Sequence, residues 1–100
     1  MGFYKNSRKE IETIIRKTYP DVLPFRHKGL VKKENLPAHL LWMVNETGKW
    51  DTSSIKRAAK AGRWIGWMFR AMEELDIWDN SSSQKCSKRD VDAGYHLPQE

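Results

Sequence analysis

One hundred residues with 39% apolar and 31% charged content make a single small globular domain rather than a disordered chain. The formal charge of +5 permits contact with anionic partners without requiring it. A lone cysteine, Cys86, excludes an internal disulfide and a Cys-rich zinc site, and no apolar run is long enough to cross a bilayer.

In the N-terminal stretch Met1–Ser7 there is no apolar signal core. Its serine lies one position beyond the myristoylation pattern. A cytoplasmic location with no membrane partner is therefore expected. Ser7 and Glu10 have capping-box spacing, and Ile11, Ile14, Ile15 and Thr18 recur at helical intervals, which predicts a helix over 7–18. Phe3 or Tyr4 is expected to fold back on its first turn, and Pro20 ends it.

Residues 20–35 read as a basic loop carrying Arg26, His27, Lys28, Lys32 and Lys33. Its apolar pairs Val22-Leu23 and Leu30-Val31 either tack it to the core or pair briefly as strands. Its cations are either solvated connector charge or a phosphate-contacting surface. Residues 36–47 then predict a second helix, with Asn35 as cap, Pro37 in the first turn and Gly48 as terminator. Leu36, Leu40, Leu41, Met43 and Val44 form its apolar face. Trp42 points away from that face, towards the third helix or the loop, and His39 beside it reads as a structural histidine.

Residues 53–77 predict the central and longest helix, capped from the Asp51–Ser53 region. Ile65, Met68, Phe69 and Met72 fall on its core side. The small-residue strip Ala58, Ala59, Gly62 and Gly66 predicts that another element's backbone comes close, since helix glycine costs about 0.8–1.0 kcal/mol relative to alanine. The opposite arc holds Lys56, Lys60, Arg63, Trp67, Arg70 and Glu74. Trp67 lies between Arg63 and Arg70, a turn to either side, so a guanidinium can stack on the indole. Trp67 is then either covered by arginine stems or part of a recognition patch.

Charge order along this helix is inverted. Lys56, Arg57, Lys60 and Arg63 occupy its N-terminal half, and Glu73, Glu74, Asp76 and Asp79 its C-terminal end. The helix dipole favours the reverse by about 0.3–1 kcal/mol per terminal charge. Tertiary ion pairs could offset it, and so could a partner of matching charge. After Trp78 the chain reads as a polar tail over 79–100, with a linker Asp79–Gln84, a short helix from Ser87 to about Ala93 and Gly94 as its stop. The whole is an all-α, single-domain bundle over 1–100, with three main helices and a short C-terminal one.

No catalytic constellation appears. His27, His39 and His96 match no metal spacing, and no P-loop, dinucleotide fingerprint or nucleophile elbow is present. Glu73 and Glu74 point about 100° apart on a helix and form no carboxylate pair. Cys86 has no neighbouring histidine. A non-enzymatic protein without metal or cofactor is expected.

At Leu36-Pro37-Ala38-His39-Leu40-Leu41-Trp42-Met43 and Lys60-Ala61-Gly62-Arg63-Trp64-Ile65-Gly66-Trp67 the chain resembles short helical proteins of bacteriophages and mobile elements. These place a His-Leu-Leu-Trp-like helix before one with an Arg-Trp-Ile/Leu-Gly core. The likeness covers about residues 36–78. In size and style the chain is also similar to anti-CRISPR proteins, which bind a host effector complex and block DNA entry, although its positive charge departs from the acidic balance of DNA mimics. The resemblance implies an inhibitor of a host nucleoprotein complex, acting in the bacterial cytoplasm. Its contact surface would be Glu73, Glu74, Asp76 and Asp79 with Trp67 and Trp78 as anchors, the carboxylates occupying a groove meant for phosphates. The alternative is direct binding of DNA or RNA by Lys56, Lys60, Arg63 and Arg70 with Arg26, Lys28, Lys32 and Lys33, and Trp67 stacking on a base. Oligomeric state is left open.

Overall fold

A computed structural model describes residues 2–99. Four helices follow one another: α1 (Lys5–Thr18), α2 (Leu36–Thr47), α3 (Ile55–Glu74) and α4 (Asn80–Asp92), with one 3-10 turn at Lys33–Asn35 leading into α2. The domain is all-α, and no strand occurs among the described residues. Val22 and Val31 of the long loop tuck against the core, while Leu23 and Leu30 remain exposed.

The predicted apolar faces meet in one core. Ile11 and Ile15 of α1, Leu40 and Leu41 of α2, and Met68 and Met72 of α3 are completely buried there. A smaller cluster joins Phe3, Trp50, Ala58 and Ala61. Phe3 packs not on the first turn of α1, as expected, but against Trp50 of the α2–α3 turn and Ala58 and Ala61 of α3.

Several predicted boundaries are corrected. α1 begins at Lys5, so Ser7 lies inside it and is no cap. Tyr4 precedes the helix in a left-handed conformation, and the capping acceptor comes from α4. Both carboxylate oxygens of buried Asp90 serve α1: the Asn6 N–H donates to Oδ1 at 2.8 Å, and the Ser7 N–H to Oδ2 at 3.0 Å. The Ser7 hydroxyl donates to Oδ2 as well. A distant acid thus replaces the local cap. Asn35 makes no side-chain cap either, because the 3-10 turn already carries the chain into α2.

α3 is capped by Ser54, whose Oγ accepts from the Arg57 N–H at 3.2 Å. It ends at Glu74 rather than 77. Asp76 takes φ 60°, and its N–H reaches the Glu73 carbonyl at 2.9 Å while that of Ile77 reaches Met72 at 3.4 Å. This is a Schellman stop with aspartate where glycine is usual. The small-residue strip is corrected in part. A Cβ on Gly62 would meet the Tyr4 hydroxyl at 3.2 Å, a side chain rather than a backbone, and one on Gly66 would meet nothing within 4 Å.

The polar tail is the largest correction. Residues predicted as linker are the first turns of α4, a helix of 13 residues, nearly the length of α1 with 14. Asp79 caps it by accepting from the Ser82 N–H at 2.8 Å. Gly94, at φ 76°, stops it as expected. The Tyr4 N–H then donates to the Tyr95 carbonyl at 3.0 Å, and the Gln99 N–H donates to Thr52, so the chain end is docked. Among the described residues no helix is long and apolar enough to cross a membrane.

Candidate functional site

Two helical pairs of ring side chains define the main cleft. His39 and Trp42 are three apart on α2, and Trp64 and Trp67 are three apart on α3, so each pair shares a helix face. The helices bring the pairs together. Trp42 and Trp64 lie 5.6 Å apart between ring centres, and His39 and Trp67 lie 5.5 Å apart, edge to face. Trp64 continues to Trp50 at 4.7 Å.

The long loop closes the other side. Its Phe25 N–H donates to the Ala38 carbonyl at 3.1 Å, and its His27 N–H donates to Nδ1 of His39 at 3.1 Å. These two bonds hold the loop on α2 and carry Arg26, His27 and Lys28 into the cleft wall. Arg26 lies 5.2 Å over the Trp42 ring. The resulting cleft encloses about 660 Å³, and its charged lining is Arg26, Lys28 and Arg63, with no carboxylate.

His39 is half-buried. Burial first, then the neighbouring His27 and Arg26, lower its pKa below the usual 6.5. With Nδ1 accepting a backbone proton, the neutral ring carries its own proton on Nε2. The cleft thus pairs aromatic faces with unneutralised cations. Aromatic faces beside cations have the chemistry to stack a flat ring and to pair an anion.

The predicted basic residues are divided by the fold. Arg26, Lys28 and Arg63 converge on the cleft, and Trp67, 40% exposed, borders it. Lys56, Lys60 and Arg63 line an adjoining groove with Arg57. Lys32, Lys33 and Arg70 are exposed but lie outside the lining of either. Among the described residues no guanidinium stacks on Trp67. The cation–π contacts fall instead on Trp42, Trp50 and Trp64.

The predicted acidic surface is also divided. Glu73, Glu74, Asp76 and Asp79 are exposed at the end of α3 and the turn beyond. Trp78 is no free anchor: it is half-buried, stacks on Phe69 at 5.8 Å and 14°, and donates from Nε1 to Ser83 Oγ at 2.6 Å. Among the described residues the only ion pair joins Arg16 and Glu12 at 3.7 Å. Among the described residues no tertiary ion pair offsets the inverted charge order of α3.

His27, His39, Trp42 and Trp64 do not stand out as site residues in the sequence. The matching three-residue spacing of His39–Trp42 and Trp64–Trp67 is the signal that marks the helical three, and nothing in the sequence marks His27. Trp42 does meet both the third helix and the loop. Among the described residues no group of three or more His, Cys, Asp or Glu side chains is placed to hold a metal ion. Burial raises the Cys86 thiol above its usual range, with Glu10 adding to the effect, so no thiolate is favoured there. Compared with known proteins, the chain matches no family model, no curated protein and no solved structure.

Proposed function

We propose that the protein is a non-enzymatic binder of nucleic acid that takes an unpaired base and its phosphate into the cleft between α2, α3 and the basic loop. One observation carries this reading: Arg26, Lys28 and Arg63 converge on a cleft walled by Trp42, Trp64 and Trp67, with no carboxylate among its lining residues. Stacking on an aromatic face is worth about 1–3 kcal/mol per base and tolerates any sequence. The cations supply the salt-dependent part of affinity. A base inside a duplex is already stacked on both faces, so the cleft favours single strands.

Quenching of tryptophan fluorescence by a single-stranded oligouridylate tests this. Trp67→Ala should weaken binding by about 1–3 kcal/mol, and Arg63→Glu should weaken it and flatten its salt dependence. Unchanged affinity in both variants, or no quenching of the parent protein, would sink the proposal.

A different observation favours a second reading. The four carboxylates at the end of α3 and in the turn beyond make no ion pair among the described residues, and Glu73 and Glu74 in the last turn of α3 oppose its dipole. A protein partner with a Lys/Arg groove would neutralise them. That is the inhibitor reading, a phage or mobile-element protein that blocks a host nucleoprotein defence complex, with Glu73, Glu74, Asp76 and Asp79 as its contacts.

A further inference from the structure

We infer that the ligand of the cleft is a single strand several nucleotides long, which leaves the cleft at Arg63 and runs along the outer face of α3 towards Lys56. This rests on the nucleic-acid reading above and adds the length and path of the ligand.

Arg63 lines two hollows. On one side is the aromatic cleft. On the other is a groove of about 510 Å³ whose charged lining is Lys56, Arg57, Lys60 and Arg63, again with no carboxylate. The two meet at one guanidinium and form one track. Their chemistry differs along its length. The cleft offers rings and cations, and the groove offers cations alone. A base with its phosphate suits the first, and bare phosphodiester suits the second.

Two of the four cations, Arg57 and Lys60, are held on aromatic rings before any ligand arrives. Arg57 lies 5.0 Å over the Trp50 ring, and the Lys60 ammonium lies 5.2 Å over Trp50 and 5.3 Å over Trp64. These stacking contacts fix the side chains without neutralising them. Cations already held in place lose little freedom on meeting an anion. No acidic residue within the described chain forms an ion pair with any of the four.

The track is longer than a nucleotide. Eleven residues separate Lys56 from Trp67, about 16 Å of helix at 1.5 Å per residue. A stacked strand advances only about 3.4 Å per phosphate. A mononucleotide in the cleft would leave Lys56 and Arg57 unused, whereas a short strand would reach them.

Equilibrium titration with uridine monophosphate, a uridylate decamer and a duplex of the same length tests the assignment. The decamer should bind at least about tenfold more tightly than the monophosphate, because it neutralises further phosphates. Lys56→Glu, which leaves every cation–π contact in place, should weaken the decamer several-fold and spare the monophosphate. The double variant Lys56→Glu/Arg57→Glu should weaken the decamer further and lower the magnitude of its log–log salt slope by about 0.7 for each phosphate no longer neutralised. Both changes put acid in the first turn of α3, where the dipole favours it, so the helix is retained; circular dichroism checks this. Equal affinity for monophosphate and decamer, or a decamer indifferent to both variants, overturns the strand while leaving the cleft reading intact. A duplex that binds as well as the single strand also overturns it. If neither uridylate binds, the cleft reading falls and the strand falls with it.

Discussion

Asp90 is completely buried, and its carboxylate receives two backbone N–H groups and one hydroxyl from the start of α1. It joins the C-terminal helix to the N-terminal one, across 83 and 84 positions of sequence. Asp90→Ala leaves the buried Ser7 N–H and hydroxyl and the part-buried Asn6 N–H without their acceptor, and it should cost about 2–4 kcal/mol, given about 1–3 kcal/mol per stranded group. Ser7→Ala removes only the hydroxyl and should cost about 1 kcal/mol. Denaturant unfolding of the two variants reads the difference; equal destabilisation would mean that the backbone bonds to Asp90 contribute nothing. His39 gives the pH dependence. Its folded pKa is lowered by burial, His27 and Arg26, so the unfolded chain takes up the proton first as pH falls. The stabilising contribution is complete above the unfolded value, about 6.5, and is lost as pH falls through the lower folded value. Protonation also ends the acceptor role of Nδ1 towards the loop. His39→Gln should therefore flatten the stability slope between neutral pH and about pH 5; an unaltered slope would remove His39 as its source.

Helices with a strong apolar face were legible in the sequence, and those built on small polar residues were not. α2 starts and ends where its leucines and Gly48 put it, and the core side of α3 is the one its periodicity marks. α4 was hidden because Ser83, Cys86 and Asp90 are its buried face. Serine and aspartate read as turn formers because they compete for backbone hydrogen bonds locally. Here each finds a partner outside its own helix instead: Ser83 takes the indole N–H of Trp78 just before α4, and Asp90 takes the distant start of α1. The glycines of α3 show the same limit. Two glycines one turn apart suggested one close neighbour, yet only Gly62 has one. Gly66→Ala should raise stability by about 0.8–1.0 kcal/mol, the full propensity difference, which is roughly 4–8 °C in Tm for a domain of this size. Gly62→Ala should gain less, because its new methyl would crowd the Tyr4 hydroxyl at 3.2 Å. Thermal melts that rank Gly62→Ala at or above Gly66→Ala would show that Tyr4 moves aside freely.

At the scale of the molecule, charge was legible along the chain but not across it. The excess lies in residues 1–35, which hold nine Lys or Arg against four Asp or Glu, and nothing local says where those cations go. Folding sends Arg26 and Lys28 to the aromatic cleft, while Lys5, Arg8 and Lys9 line a separate groove with Lys49. The cleft unites cations of the first third with Arg63 of α3 because two hydrogen bonds, to the Ala38 carbonyl and to His39 Nδ1, pin the loop onto α2. Sequence order shows the cations of α3 but not their aromatic company from Trp42 and Trp50. The same helix keeps its acids at the other end, so charge reversal separates the two functional readings. Reversing Lys56, Lys60 and Arg63 to Glu should abolish binding to single-stranded nucleic acid, and parent affinity should fall with salt at a log–log slope of about −0.7 per phosphate neutralised. Reversing Glu73, Glu74 and Asp76 to Lys should leave that affinity intact or raise it, since it adds positive charge to the molecule. It should also keep the helix, because cations suit its C-terminal end. Affinity for free single strands abolished by the acidic reversal and kept with the basic one would transfer the function to the acidic end. Salt-independent binding would argue against phosphate contact at either end.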